Sequence, residues 1–128
     1  MKILLIHTGG TIGMAQTEIG FAPKAGVLEA ALAQIASEAQ ITVLPLEPLI
    51  DSANATPEDW NRIAQAIEAG HETYDGFVIT HGTDTLAFTA AALCFALAGL
   101  RKAVILTGSM LPLTVPKSDG PQNLRDAI

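Results

Sequence analysis

The chain holds one cysteine, Cys94, so no disulfide can form within it. That count fits a reducing compartment, and the reading is a cytoplasmic protein. Cys94 lies in an apolar helical stretch and is expected to be a buried small hydrophobe, not a nucleophile or ligand. Aromatic residues make up only 5%, so the core must be built from Ile, Leu, Val and Ala. Positive charge is also scarce. Seven Lys and Arg are scattered through 128 residues, and the net charge is −6. Without a basic cluster, neither nucleic acid nor an anionic membrane surface is an expected partner. No apolar run approaches a membrane span. The run from Ile3 ends at His7, too short for a signal-peptide core. No His/Cys/Asp spacing of metal-site type occurs, so no metal is expected.

What is present is aliphatic and regularly patterned. Hydrophobic residues reach 49%, which suits one domain with a sizeable core. Apolar runs alternate with helical patterns. Strands are predicted at Lys2–His7, 41–46, Gly76–Thr80 and Ala103–Thr107. Helices are predicted over 26–38, from Thr56-Pro57-Glu58-Asp59 to a stop at Gly70, over 85–99, and from near Asp119. Thr56 can cap the second helix, Pro57 suits its first position, and Asp59 supplies an acid three residues after the cap. The stretch 16–24, broken by Gly20 and Pro23, reads as a mobile loop. This β-α-β-α-β-α-β order predicts a single α/β domain over 1–128. It should be three-layered and doubly wound, with a mostly parallel sheet, helices on both faces and right-handed crossovers. The helix over 85–99 is apolar nearly all round, which implies burial on more than one side. A second subunit or a further domain is therefore expected to cover it, and a homo-oligomer follows.

Three strand exits carry chemistry. Thr8-Gly9-Gly10-Thr11-Ile12-Gly13 follows the first strand and delivers a hydroxyl, Thr11, to its carboxyl end. Ligands of open α/β sheets bind outside the carboxyl ends of the strands. The glycines let backbone approach a ligand closely, and nearby amides can face a developing oxyanion. The turn serves equally as a tight strand exit. It lacks the third glycine of G-x-G-x-x-G, so a dinucleotide site is poorly supported and no cofactor is expected. His81-Gly82-Thr83-Asp84-Thr85 follows the third strand. Thr83 and Asp84 are good helix caps. They also place free amides and a carboxylate where an anion and an ammonium group could bind. Asp51-Ser52 at a third exit reads alone as a solvated turn. His7 and His81, each at a strand end, read as structural histidines bonded to loop backbone, and His71 as a surface residue.

Taken together, Thr8-Gly9-Gly10-Thr11-Ile12-Gly13-Met14, Asp51-Ser52 with Thr56-Pro57-Glu58-Asp59-Trp60, Asp75 through Thr85, and Thr107-Gly108-Ser109 to Ser118-Asp119-Gly120 resemble the N-terminal domain of bacterial L-asparaginases. The likeness is strongest to the cytoplasmic, type I branch and covers essentially the whole chain. The resemblance implies hydrolysis of L-asparagine to L-aspartate and ammonia without metal or cofactor. Thr11 would be the nucleophile. Thr83 and Asp84 would act with a lysine whose family position falls past Ile128; Lys117 does not occupy it. Asp51, Ser52, Gly82, Thr83 and Asp84 would bind substrate, and the amides of Thr11 and Thr83 would form the oxyanion hole. A family tyrosine in the mobile loop is Phe21 in this sequence, which can close over a substrate but cannot relay a proton. The family's C-terminal domain is not in this chain. The resemblance therefore leaves two readings: an asparaginase or its nucleophile-bearing part, and an inactive amino-acid-binding module.

Overall fold

A computed structural model describes residues 1–35 and 38–128. The chain runs through β1 (Lys2–His7), a hairpin of β2 (Met14–Thr17) and β3 (Gly20–Pro23), α1 (Val27–Leu32) and β4 (Gln40–Pro45). It continues with α2 (Pro57–Gly70), β5 (Gly76–Thr80), α3 (Leu86–Ala96), β6 (Ala103–Thr107) and α4 (Gly120–Ala127). β4, β1, β5 and β6 pair in that order, and every pairing is parallel.

The apolar runs explain the layering. Successive side chains of a strand face opposite ways, and strands covered on both faces read as continuous hydrophobic runs. Leu4, Ile6, Phe77 and Ile79 pack on one face with Ile63, Ile67 and Leu93 from α2 and α3. Ile3, Leu5 and Val78 pack on the other with Leu28, Leu124 and Ala127 from α1 and α4. The result is a three-layer, doubly wound α/β domain. β5 is buried along its whole length, whereas the edge strands β4 and β6 alternate between exposed and partly buried. At the start of α2, the Asp59 carboxylate accepts from the Thr56 backbone N–H at 3.0 Å, the acid-to-cap bond expected from the sequence.

Several local expectations are corrected. Much of the stretch 16–24 pairs in the β2–β3 hairpin instead of running as an irregular loop, with Met14 opposite Pro23 and Thr17 opposite Gly20. Gly20, at φ +125°, turns the chain, and the Thr17 hydroxyl donates to the Gly20 carbonyl at 2.7 Å. The helix expected over 26–38 is α-helical only at Val27–Leu32 and then tightens, with Gln34 and Ile35 donating to Ala31 and Leu32. Ala36 and Ser37 of that expected helix lie outside the described residues. The strand expected at 41–46 runs one residue earlier, because Lys2 pairs with Gln40 in the β1–β4 register. The helix expected over 85–99 is α3, whose last turn is irregular up to Gly99, a residue at φ +94°.

Cys94 is exposed, not buried. Thr89 and Leu93 form the buried stripe of α3, and the next residue is turned about 100° away from Leu93. Phe88 and Phe95, 69% and 85% exposed, also point away from the sheet. Among the described residues, no helix is long and apolar enough to cross a membrane.

Candidate active site

The strand order creates the site. From β1 the chain moves sideways to β4, then crosses back to β5 on the other side of β1. Connections leaving β1 and β5 therefore diverge, and such a switch point opens a crevice at the carboxyl ends of the strands. The three chemistry-bearing exits meet there. A cleft of about 250 Å³ is lined by Thr11, Asp51, Ser52, Gly82, Thr83 and Asp84. Gly9, Gly10, Leu49 and Ile50, with Met14 and Pro23 of the hairpin, complete its lining. All six residues expected to react with or bind substrate are thus brought together. Phe21 is not among the lining residues. It sits on β3, 48% exposed.

Hydrogen bonds carry the sheet past its strand ends and lock the turns. Thr8 donates its backbone N–H to the Thr80 carbonyl at 3.0 Å and its hydroxyl to the same oxygen at 2.9 Å. Ile50 N–H donates to the Thr8 carbonyl at 2.6 Å, and His81 N–H to that of Thr107 at 2.9 Å. Glycine is then required for packing. A Cβ on Gly10, at φ +85°, would lie 2.6 Å from the Gly82 nitrogen. A Cβ on Gly9, at φ +128°, would lie 2.6 Å from the Ile50 carbonyl oxygen. The sequence suggested that these glycines let a ligand approach. In the structure they first let one turn approach another.

Ser52 links two of the turns. Its hydroxyl donates to Asp84 Oδ2 at 2.7 Å, and its carbonyl accepts from the Thr85 hydroxyl at 2.7 Å. Asp51 is exposed and accepts from the Ala53 N–H at 3.2 Å and from Asn54 Nδ2 at 2.8 Å. Arg62 of α2 supports the segment leading to Asp51. Its guanidinium donates to the carbonyls of Leu46 and Pro48 at 3.2 and 2.8 Å and pairs with Asp59 at 3.0 Å. Among the described residues, nothing accepts from the backbone N–H of Thr11 or Thr83 or bonds the Thr11 hydroxyl. The cleft therefore pairs two carboxylates, suited to an ammonium group, with two free amides suited to an anion.

The two strand-end histidines differ. His81 is buried, and its Nδ1 lies 2.8 Å from the Gly82 carbonyl oxygen, the loop-backbone bond expected of it. His7 bonds the Thr80 hydroxyl on the neighbouring strand instead of loop backbone, at 2.8 Å from Nδ1. It lines a second cavity of about 330 Å³, with Lys24, Glu29 and Glu47, on the α1 side of the hairpin. That cavity is larger than the cleft, yet of the first strand-exit motif it contains only Gly13. The chemistry-bearing turns decide the site, not the volume. His71 bonds Glu72 at the surface, as expected.

Burial lowers the His7 pKa below 6.5, against the opposing pull of Glu29 and Glu47. A histidine held neutral in the fold must be charged in the unfolded chain first. Its cost to stability is thus absent above the unfolded value and grows as pH falls below it. We expect urea midpoints to drop between pH 7.5 and 5.5, and His7→Gln to flatten that slope. An unchanged slope in the variant would contradict the assignment.

Sequence reasoning missed the support behind the turns. Trp60 stood out only as part of a motif, and Thr89 not at all. In the structure Trp60 Nε1–H donates to Thr89 Oγ1 at 3.0 Å, and that hydroxyl lies 3.1 Å from His81 Nε2. A threonine inside an otherwise apolar helix was the one available signal, because its hydroxyl needs a partner if that face is buried.

Fold and site together define a doubly wound α/β domain with a small polar cleft of hydroxyls, carboxylates and free amides at its switch point. The family profile described as "Asparaginase, N-terminal" matches residues 2–128. The chain belongs to that family. It is 47% identical to "L-asparaginase 1" of Escherichia coli (strain K12), over 99% of this chain and 39% of the relative. The structure of the thermostable L-asparaginase from Thermococcus kodakarensis superposes with a TM-score of 0.87 and 45% identity, over 99% of this chain and 39% of that one. A probable cytoplasmic L-asparaginase from Campylobacter jejuni gives 0.78 and 34%, over 98% of this chain and 40% of that one. The chain thus spans about two fifths of the length of these relatives.

Proposed function

We propose that this chain is the nucleophile-bearing domain of an L-asparaginase, hydrolysing L-asparagine to L-aspartate and ammonia. The observation that carries the reading is the gathering of Thr11, Asp51, Ser52, Thr83 and Asp84 around one cleft with two unclaimed amides. The Thr11 hydroxyl attacks the side-chain amide carbon. The C–N bond breaks, the hydroxyl proton leaves with the nitrogen as ammonia, and an acyl ester remains on Thr11. Water then cleaves that ester to release L-aspartate and restore the hydroxyl. The N–H groups of Thr11 and Thr83 stabilise the oxyanion of each tetrahedral intermediate. Asp51 and Asp84 hold the substrate ammonium group, Ser52 orients Asp84, and Gly82 leaves room for the Ser52 side chain. Thr83 and Asp84 assist proton transfer together with a lysine from the family's remaining sequence, and the reaction uses no metal or organic cofactor. That remaining sequence includes the family's C-terminal domain.

Ammonia release from L-asparagine by the full-length protein tests this reading. A second reading, an amino-acid-binding module without turnover, is favoured by Phe21, which lacks a hydroxyl and stands outside the cleft lining. A melting temperature raised by L-aspartate with no ammonia released would select it. We also place the protein in the cytoplasm, supported by its likeness to a cytoplasmic relative. It assembles as a homo-oligomer, supported by the outward-facing Phe88 and Phe95 of α3. Sedimentation at micromolar concentration is expected to show no monomer, and a monomer would reject the assembly.

A further inference from the structure

We propose that Trp60 and Thr89 are positioning residues that hold the Nδ1–H tautomer of His81 and so aim the Thr83 amide into the cleft. The argument is one of hydrogen-bond polarity, and it rests on the function proposed above. An indole nitrogen can only donate. Trp60 Nε1–H donates to Thr89 Oγ1 at 3.0 Å, so the hydroxyl accepts there and keeps its own proton for another partner. That partner is His81 Nε2, 3.1 Å away. The Gly82 carbonyl beside Nδ1 can only accept, so Nδ1 carries the hydrogen, and in the neutral ring Nε2 accepts from the Thr89 hydroxyl. The Nδ1–H donates to the Gly82 carbonyl at 2.8 Å. Every donor in the chain meets an acceptor, and the chain has one direction, from α2 through α3 to the turn.

Its end decides an orientation. The only cis peptide bond of the described residues is Glu47–Pro48, so Gly82–Thr83 is trans. In a trans peptide the carbonyl and the following N–H point opposite ways across one plane. Because His81 is buried and holds the Gly82 carbonyl inward, the Thr83 N–H is turned outward. Thr83 lines the cleft, and nothing among the described residues accepts from its amide. With the other tautomer, a lone pair of Nδ1 would face the carbonyl lone pairs, and the peptide would gain by rotating away. The relay therefore holds in place a donor that serves an anion, and the Trp60–Thr89 pair supports it without touching substrate.

Removing a donor that acts on a developing oxyanion lowers kcat by about 100- to 1,000-fold. Loosening such a donor should cost part of that. For the full-length protein with L-asparagine, Thr89→Val is expected to lower kcat about 10- to 100-fold and leave KM within about twofold. Thr89→Ser should restore kcat, since the hydroxyl returns. Trp60→Phe keeps a ring, removes the N–H, and should lower kcat in the same direction by a smaller factor. Nitrogen-15 shifts of the His81 ring should report the Nδ1–H tautomer in the wild type and its loss in Thr89→Val. An Nε2–H tautomer in the wild type would overturn the proposal, as would a kcat within twofold of wild type in both variants. If the wild type releases no ammonia, the proposed function fails, and the tautomer alone then decides the relay.

Discussion

Replacing Thr11 by valine is expected to abolish ammonia release while leaving the fold intact. Valine keeps the volume and branching of threonine and removes only the hydroxyl. Loss of the attacking group in an acyl-transfer site lowers kcat by up to about 10⁶-fold where the nucleophile and its activating groups act as one unit. The melting temperature should change little, because among the described residues the Thr11 hydroxyl makes no hydrogen bond that would be lost. Binding of L-aspartate should survive, since Asp51, Ser52 and Asp84 are untouched. The pairing of the two readouts matters. A Thr11→Val protein that turns over L-asparagine at the wild-type rate removes Thr11 as the nucleophile. One that has lost both turnover and L-aspartate binding makes Thr11 a binding residue instead.

A methyl group on Gly10 should damage stability and activity together. Two costs add. Residue 10 sits at φ +85° and ψ 169°, a conformation adopted almost only by glycine that costs an L-residue about 1–3 kcal/mol. The new Cβ would also lie 2.6 Å from the Gly82 nitrogen and 2.7 Å from its Cα, and overpacking against backbone costs about 1–3 kcal/mol. A total of about 3 kcal/mol corresponds to a fall of about 10 °C in the melting temperature of a domain this size. Gly26 provides the control. It also has a positive φ, +83°, but with ψ −8° it is left-handed helical, and nothing lies within 4 Å of its added Cβ. Gly26→Ala should therefore cost only the conformational part, about 1–2 kcal/mol, and leave activity unchanged. Equal melting temperatures for the two variants would mean that the turns do not depend on packing against each other at Gly10.

The parts of the site differ in how far the sequence reveals them. The turns at 8–13 and 81–85 follow directly from apolar runs broken by glycine, and the two motifs together carry the family resemblance. The hairpin of β2 and β3 did not stand out. Its pairing joins Met14 to Pro23 across nine residues with little apolar alternation, and Gly20 and Pro23 read locally as breakers. The burial of α3 was misjudged for a related reason. An all-apolar helix does not reveal which stripe meets the sheet, so Cys94 and Thr89 could not be ranked. In the fold the polar residue is buried and the thiol exposed.

The sequence by itself determined the four strands of the sheet, the order of helices between them, and which residues stand at the strand exits. Those follow from periods of two and 3.6 residues and from glycine and proline, all of which act over a few positions. Tertiary structure alone decided that β1 lies between β4 and β5, so that three separate exits open on one cleft. It also decided that Trp60 and Thr89 stand behind His81. Sideways strand pairing and buried polar contacts join residues far apart in the chain. Their geometry is settled only when both helical layers close over the sheet.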